Sequence, residues 1–206
     1  MECSLCLLEE SPFSYEDVVG LIHLSFDERL SQGLHFTCSS MSVDQFREKM
    51  SDGLVIVAYE KVSHQLLGTA STHLYKDKDG HLYGYNEYLA VHPSVKHCGI
   101  GTLLLNNRLS IMRERGAEYV ISDTAVGAKS SVKWHLKNGF VIYGYRSYSS
   151  TNYYSYLFRR QLVGRSKWDS RFYRDYHFLV SFLKTRIRYT RMGKERRFWA
   201  FLHKII

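Results

Sequence analysis

A chain of 206 residues with 45% hydrophobic and 15% aromatic content has ample material for a packed core, which excludes a wholly disordered protein. The formal net charge of +8 is unevenly placed: residues 1–162 hold 16 Lys and Arg against 17 Asp and Glu, and residues 163–206 hold 12 against 3. A near-neutral body, 1–162, is therefore followed by a basic extension, 163–206, with a net charge of +9.

The N-terminal stretch MECSLCLLEESPF has no basic n-region and carries Glu9 and Glu10 behind a short apolar run. No secretory signal is expected, and the expected compartment is the cytoplasm. Residues 3–9 read as a strand that places Cys3, Leu5 and Leu7 on one face. Cys3 and Cys6 form a lone CxxC with no second ligand pair, so small core thiols are expected, with no metal site and no disulfide. Helical spacing follows from Tyr15 to about Leu30 through Val18, Val19, Leu21, Ile22 and Phe26. Ser42 and Gln45 form a capping box at the head of a second, short helix.

Three strands come next, at 54–59, 66–75 and 81–91, joined as an antiparallel meander with Asp79-Gly80 as the hairpin turn. Leu104, Leu105, Leu109 and Met112 then make one helical stripe, with Arg113 and Arg115 in the last turn and Gly116 at the end. Residues 118–123 read as a strand, 129–138 as a helix stopped by Gly139, and the remainder to 162 as a closing hairpin. The order β α α β β β α β α β β implies a mixed sheet with helices packed on it, an α+β fold and not a doubly wound one.

The informative stretch is LAVHPSVKHCGIGTLLL, residues 89–105. Gly99 and Gly101 stand where a strand gives way to an apolar helix. A dinucleotide fingerprint fails because Leu104 occupies the third glycine position, and a P-loop fails because no Lys follows Gly101. What remains is a helix N-terminus with unpaired backbone N–H groups from 97 to 102 and little side chain in the way, which suits an anion such as a pyrophosphate. Glycine at a helix start also serves packing alone.

Leu89-Ala90-Val91-His92-Pro93 followed by Lys96-His97-Cys98-Gly99-Ile100-Gly101 resembles the acetyl-CoA-binding signature of the GNAT superfamily of N-acyltransferases. SSVKWHLKNGF, 130–140, is similar to the family's helix ending in Gly-Phe, and the element order agrees over residues 1–162. The resemblance implies a mixed, mostly antiparallel sheet of about seven strands with about four helices. It implies acetyl-CoA as cosubstrate, no metal, and a primary amine as acceptor. The backbone of Leu89, Ala90 and Val91 would line the pantetheine arm, and the loop from Lys96 through His97, Cys98, Gly99, Ile100 and Gly101 to Thr102 would cradle the pyrophosphate. Two positions depart from the pattern. Lys96 replaces an Arg or Gln and loses its planar fork. His135 stands where many members carry a tyrosine that protonates the leaving thiolate; some relatives acting on small amines have histidine there, and the competing role is packing on a helix over the cofactor.

An acceptor ammonium must lose a proton before it attacks a thioester. Glu87, on the strand before the pantetheine-binding residues, is the expected proton acceptor, sharing a period-two face with Tyr83, Tyr85 and Leu89; a solvated strand carboxylate is the alternative. Tyr143, Tyr145, Tyr148, Tyr153, Tyr154 and Tyr156 crowd the closing hairpin, as acceptor platforms or as cross-strand packing. The acceptor classes left open are an amino sugar on a carrier, a small free amine and a protein amine. The rival to an enzyme is a coenzyme A-binding module without turnover, or an RNA- or ribosome-associated protein acetyltransferase; no recognisable nucleic-acid module is present, and no nucleic-acid partner is expected.

In the extension, Phe172, Tyr176, Leu179, Leu183 and Ile187 form one helical stripe among basic residues, and after Gly193 the segment KERRFWAFLHKII repeats the mixture. The stripe is compatible with a tail folded on the body or across a homodimer. The expectation adopted is peripheral attachment of residues 171–206 to an anionic, cytoplasmic membrane face.

Overall fold

The structure, a computed structural model, describes residues 2–31 and 33–191, with side chains described as far as residue 187. Seven strands form one sheet in the order β1-β2-β3-β4-β5-β7-β6. They are β1 (Cys3–Leu7), β2 (Leu54–Glu60), β3 (Leu66–Lys76), β4 (Leu82–Val91), β5 (Tyr119–Ala125), β6 (Val141–Ser147) and β7 (Tyr154–Gln161). Every pairing is antiparallel except β4 with β5. The helices are α1 (Tyr15–Ser31), α2 (Val43–Lys49), α3 (Ile100–Glu114), α4 (Lys129–Lys137) and α5 (Arg171–Arg191). The first four fall in the expected order; α5 adds a fifth in the extension.

Local chemistry explains the boundaries. Ser14 and Asp17 hydrogen-bond reciprocally at the head of α1. Ser42 and Gln45 do the same for α2, the capping box expected from sequence. Val18, Val19, Ile22 and Phe26 of α1 and Phe46 of α2 bury themselves against Val55, Val57 and Ala90 on one face of the sheet. Leu105, Leu109 and Met112 of α3 pack with Val120, Phe140 and Phe158 on the other. Cys3, Leu5 and Leu7 join a core cluster on the α3 side, whereas Cys6 packs with the α1 cluster. A CxxC within a strand points its thiols to opposite faces, so these two do not converge.

Two irregularities position the site. Tyr88 takes φ 44°, and the β3–β4 register slips between Thr69 and Ser71. This bulge puts Glu87 and Tyr88 on the same face, so Leu89 packs on the α3 side, away from Glu87; the expected shared face of Glu87 and Leu89 is corrected by a one-residue slip. The second irregularity is a splay. β4 and β5 pair only from Tyr83 to Tyr85 against Tyr119 to Ile121. Beyond that, the β5-facing edge of β4 from Asn86 to Val91 has no strand partner among the described residues, and a wedge opens between the two strands.

Candidate active site

The wedge widens into a cleft of about 1160 Å³ that runs from the loop before α3 to the β6–β7 turn. At one end, the loop is built from backbone. His97 and Gly99 have φ values of 68° and 88°, which turn successive amides outward. The amides of Cys98 and Thr102 are taken by Val95 O and Gly99 O, so the unpaired set is narrower than the expected run from 97 to 102. Among the described residues, the amides of His97, Gly99, Ile100 and Gly101 have no hydrogen-bond partner within the protein. These four donors sit at the positive end of the α3 dipole, an arrangement that could hold an anion such as a phosphate.

The glycines serve this loop differently. A Cβ on Gly99 would meet nothing within 4 Å, so glycine is required there by its positive φ. A Cβ on Gly101 would make only ordinary contacts, with Val91 and with Trp134 of α4, and a longer side chain there would enter the cleft lining. Lys96 lines the cleft, and its ammonium pairs with Glu28 of α1 at the rim, a pairing that holds the Glu28 carboxyl below the usual range. The side chains of Leu89 and Val91 pack toward α3 and that of Ala90 toward α1, which leaves their backbone as the surface facing the splay.

Along the middle of the wedge the site is built from buried side chains. Glu87 keeps only 10% exposure, and both its oxygens are engaged, with Lys49 Nζ at 2.7 Å and His73 Nδ1 at 2.9 Å. His73 Nε2 lies 2.9 Å from Lys49 O and 3.3 Å from Asp52 Oδ1. Lys49 also donates to the Tyr88 hydroxyl at 2.6 Å. Burial would lower the Lys49 pKa, but its bonds to Glu87 and Tyr88 outweigh that and raise it. Glu87 is therefore the centre of an ion-pair network tying α2, β3 and β4 together.

His135 is 7% exposed and lies flat on Phe158, with ring centroids 4.4 Å apart. Nδ1 faces Ser131 O at 2.8 Å and must donate to it, which leaves Nε2, 3.2 Å from Ser122 Oγ, as an acceptor of the serine hydroxyl. Burial drives its pKa down to about 4. The expected acid is thus a neutral imidazole with its single proton committed to the backbone. The packing role is the one its surroundings fit. Arg108 of α3, 2% exposed, donates to Ser71 O at 3.1 Å and Glu87 O at 3.3 Å and lines the floor of the cleft. Burial lowers its pKa to about 9, so it stays charged at neutral pH, and none of the ion pairs among the described residues involves it.

Asp123 of β5 escaped the reading of the chain. It stands across the wedge from Glu87 and accepts a hydrogen bond from Tyr85 Oη at 2.9 Å. Burial raises its pKa, the Tyr85 bond offsets part of this, and repulsion from Glu87 adds to it. Tyr85 itself is pushed upward by burial and then by Asp123, so its hydroxyl keeps its proton. The only signal in the chain was a charged residue inside an otherwise apolar-polar strand, YVISDTA.

The far end of the cleft is aromatic. Phe36, Tyr148 and Tyr153 line it, and Phe36 and Tyr153 touch with centroids 4.8 Å apart. Asn152 in the β6–β7 turn bridges to the segment after α1, accepting from His35 N at 3.0 Å and donating to Gly33 O at 2.8 Å. The hairpin tyrosines divide between the two readings: Tyr145 packs on Tyr154 and Tyr156, whereas Tyr148 and Tyr153 face the cleft. Among the described residues no group of three or more His, Cys, Asp or Glu could hold a metal ion.

A model described as the acetyltransferase (GNAT) family matches residues 15–140. No curated protein matches the chain. Among solved structures, the chain is similar to a chain of the NatC complex bound to Gag peptide and CoA, with TM-score 0.65 and 16% identity over 79% of this chain and 100% of that one. It is similar to the ribosomal-protein-S18-alanine N-acetyltransferase from Escherichia coli, with TM-score 0.59, 14% identity, and coverage of 81% and 97%. A GNAT family acetyltransferase from Elizabethkingia anophelis with acetyl-CoA bound gives TM-score 0.56, 14% identity, and coverage of 78% and 98%. At these identities the structural matches establish the fold.

Proposed function

The chain belongs to the GNAT acetyltransferase family, and from that premise we propose that it transfers an acetyl group from acetyl-CoA to a compact primary amine, with Asp123 accepting the amine proton. The observation that carries this reading is the wedge itself: a β4 edge without a strand partner and four loop amides unpartnered among the described residues on one side, and a buried carboxylate of raised basicity on the other. Structural neighbours with CoA or acetyl-CoA bound support the choice of cosubstrate.

Acetyl-CoA, when bound, supplies an activated acyl group: the amine nitrogen bonds to the thioester carbonyl carbon, and the carbon–sulfur bond breaks. The chain's residues do the rest. The amides of His97, Gly99, Ile100 and Gly101 fit the pyrophosphate, and the β4 edge from Leu89 to Val91, which lacks a strand partner and whose Val91 amide is held by Ser25 Oγ at 3.4 Å, fits the pantetheine amides. Asp123, desolvated and held by Tyr85, is a stronger proton acceptor than a carboxylate in water. Glu87 is less suited to that role, because Lys49 and His73 already occupy both its oxygens; it adds negative potential that favours an incoming ammonium. Arg108 puts an uncompensated positive charge under the wedge, which favours the departing thiolate, and solvent supplies the proton that His135 cannot.

The Asn152 tie across the cleft and the aromatic walls beyond it support a compact acceptor that stacks on a ring face, an amino sugar or a small amine. The test is direct. The protein is incubated with acetyl-CoA and a panel of amino sugars, small amines and short peptides, with thiol release and acetylated product followed together. Acetylated amine with matching thiol is expected. Tight acetyl-CoA binding with no product on any amine would identify a non-catalytic module instead.

A further inference from the structure

Helix α5 has two apolar faces on opposite sides. One is covered. Phe178 and Phe182 pack on Tyr145 of β6, and the hydroxyls of Ser181 and Thr185 bond to Tyr145 N at 2.9 Å and Tyr145 O at 3.2 Å. The helix therefore lies along the open edge of β6 and satisfies backbone groups that would otherwise template pairing with another strand.

Among the described residues nothing covers the second face. Phe172, Tyr176, Leu179, Leu183 and Ile187 are between 46% and 84% exposed. At 3.6 residues per turn these five fall within an arc of about 80°, centred opposite the side that meets β6. They run in a straight line of roughly 22 Å at 1.5 Å per residue. Scattered exposed leucines are ordinary on a soluble surface, but a continuous apolar line on a helix already anchored by its other side is not.

The charge around this line selects its occupant. Residues 163–191 alone carry 8 Lys and Arg against 2 Asp and Glu. A second copy placed stripe to stripe across a two-fold axis would bring two such segments together with like charge. An anionic surface reverses that sign. No helix among the described residues is long and apolar enough to cross a membrane, which fits a helix lying in the headgroup plane rather than a span. Phe172 and Tyr176 add aromatic rings to the apolar face, as helices that lie in the headgroup plane carry them.

We propose that α5 is a membrane-docking helix: it clamps the body through Phe178 and Phe182 and lays the stripe from Phe172 to Ile187 on an anionic phospholipid surface. The segment KERRFWAFLHKII, expected from the sequence to extend this surface, lies outside the described residues and is not needed for it. The proposal stands apart from the identity of the acceptor.

The experiment is flotation of the full chain with vesicles of phosphatidylcholine alone or mixed with phosphatidylglycerol, at low and high salt. Floating with the anionic vesicles only, and release by salt, are expected. The double variant Leu179→Ser, Leu183→Ser changes only exposed positions, and its circular dichroism and acetyl-CoA binding are expected to match the native protein. Its membrane partition is expected to fall at least about tenfold, in line with the loss of two buried aliphatic side chains from the interface. A native chain that stays at the bottom with every vesicle, or a double variant that floats as well as the native chain, overturns the proposal. So does a native dimer in sedimentation equilibrium that the double variant abolishes, since the stripe would then belong to a second copy.

Discussion

Between His97 and Gly101 the chain works with backbone alone: exposed amides, two positive φ values and almost no side chain. Across the wedge, Glu87, Asp123, Arg108 and His135 work as buried side chains, each held by a partner from another element. The loop presents a backbone geometry that any sequence with glycine in the right places can adopt. The wedge depends on which charges are neutralised by which neighbours. The two regions should therefore fail in different ways: damage to the loop should cost affinity, and damage to the wedge should cost rate.

The largest effect is expected at Asp123. Asp123→Asn keeps the shape and the bond from Tyr85 but removes the proton acceptor, so turnover should drop by about 10²–10⁴-fold while acetyl-CoA binding is unchanged. Glu87→Gln should lose less rate and more stability, because it leaves Lys49 and His73 facing a neutral group. Equal rate losses in the two variants would erase the distinction drawn between the carboxylates.

Gly101→Glu places bulk and negative charge beside the cradle. Coenzyme A affinity measured by calorimetry should weaken on the order of 100-fold, and the thermal midpoint should move little, since the Cβ itself makes only ordinary contacts. Unchanged affinity would remove the loop from the site.

His135 offers a test on stability alone. Its folded pKa, about 4, lies below the ordinary histidine value, so the unfolded chain takes up the proton first as pH falls. Stability from this residue is complete above about pH 6.5 and declines toward pH 4, by on the order of 3 kcal/mol in full. Urea midpoints of native protein and His135→Phe should converge across that window. Parallel curves would mean that the ring is charged in the fold. The smallest effect belongs to Gly99→Ala, where φ of 88° should cost about 1–2 kcal/mol with no steric clash, visible as a modest shift in the denaturation midpoint.

The same contrast governs how much of the molecule was legible in its sequence. Elements with a local cause were: the Ser42–Gln45 box, the Leu104 to Met112 stripe and the glycine loop all depend on residues within a few positions of one another. The wedge was not, because its properties arise between strands distant in sequence. Period-two reading carried Leu89 onto the face of Glu87 and could not see the bulge at Tyr88 that separates them. Nothing near His135 announces that Ser122 and Phe158 will surround it, and nothing near Asp123 announces Tyr85. In α5 the stripe was legible, but the second apolar face, Phe178 and Phe182, acquires meaning only from Tyr145 on β6.

The most direct test of the account is the pH dependence of kcat/KM for a primary amine acceptor, compared between the native protein and Asp123→Asn. Both profiles should rise as the amine itself loses its proton. The native profile should steepen further on the acid side, where Asp123 takes up a proton above the ordinary aspartate pKa because it is buried. The Asn variant should lack that extra limb and follow the amine alone at a far lower rate. Superimposable profiles of equal height would contradict the central claim that Asp123 accepts the amine proton in this wedge.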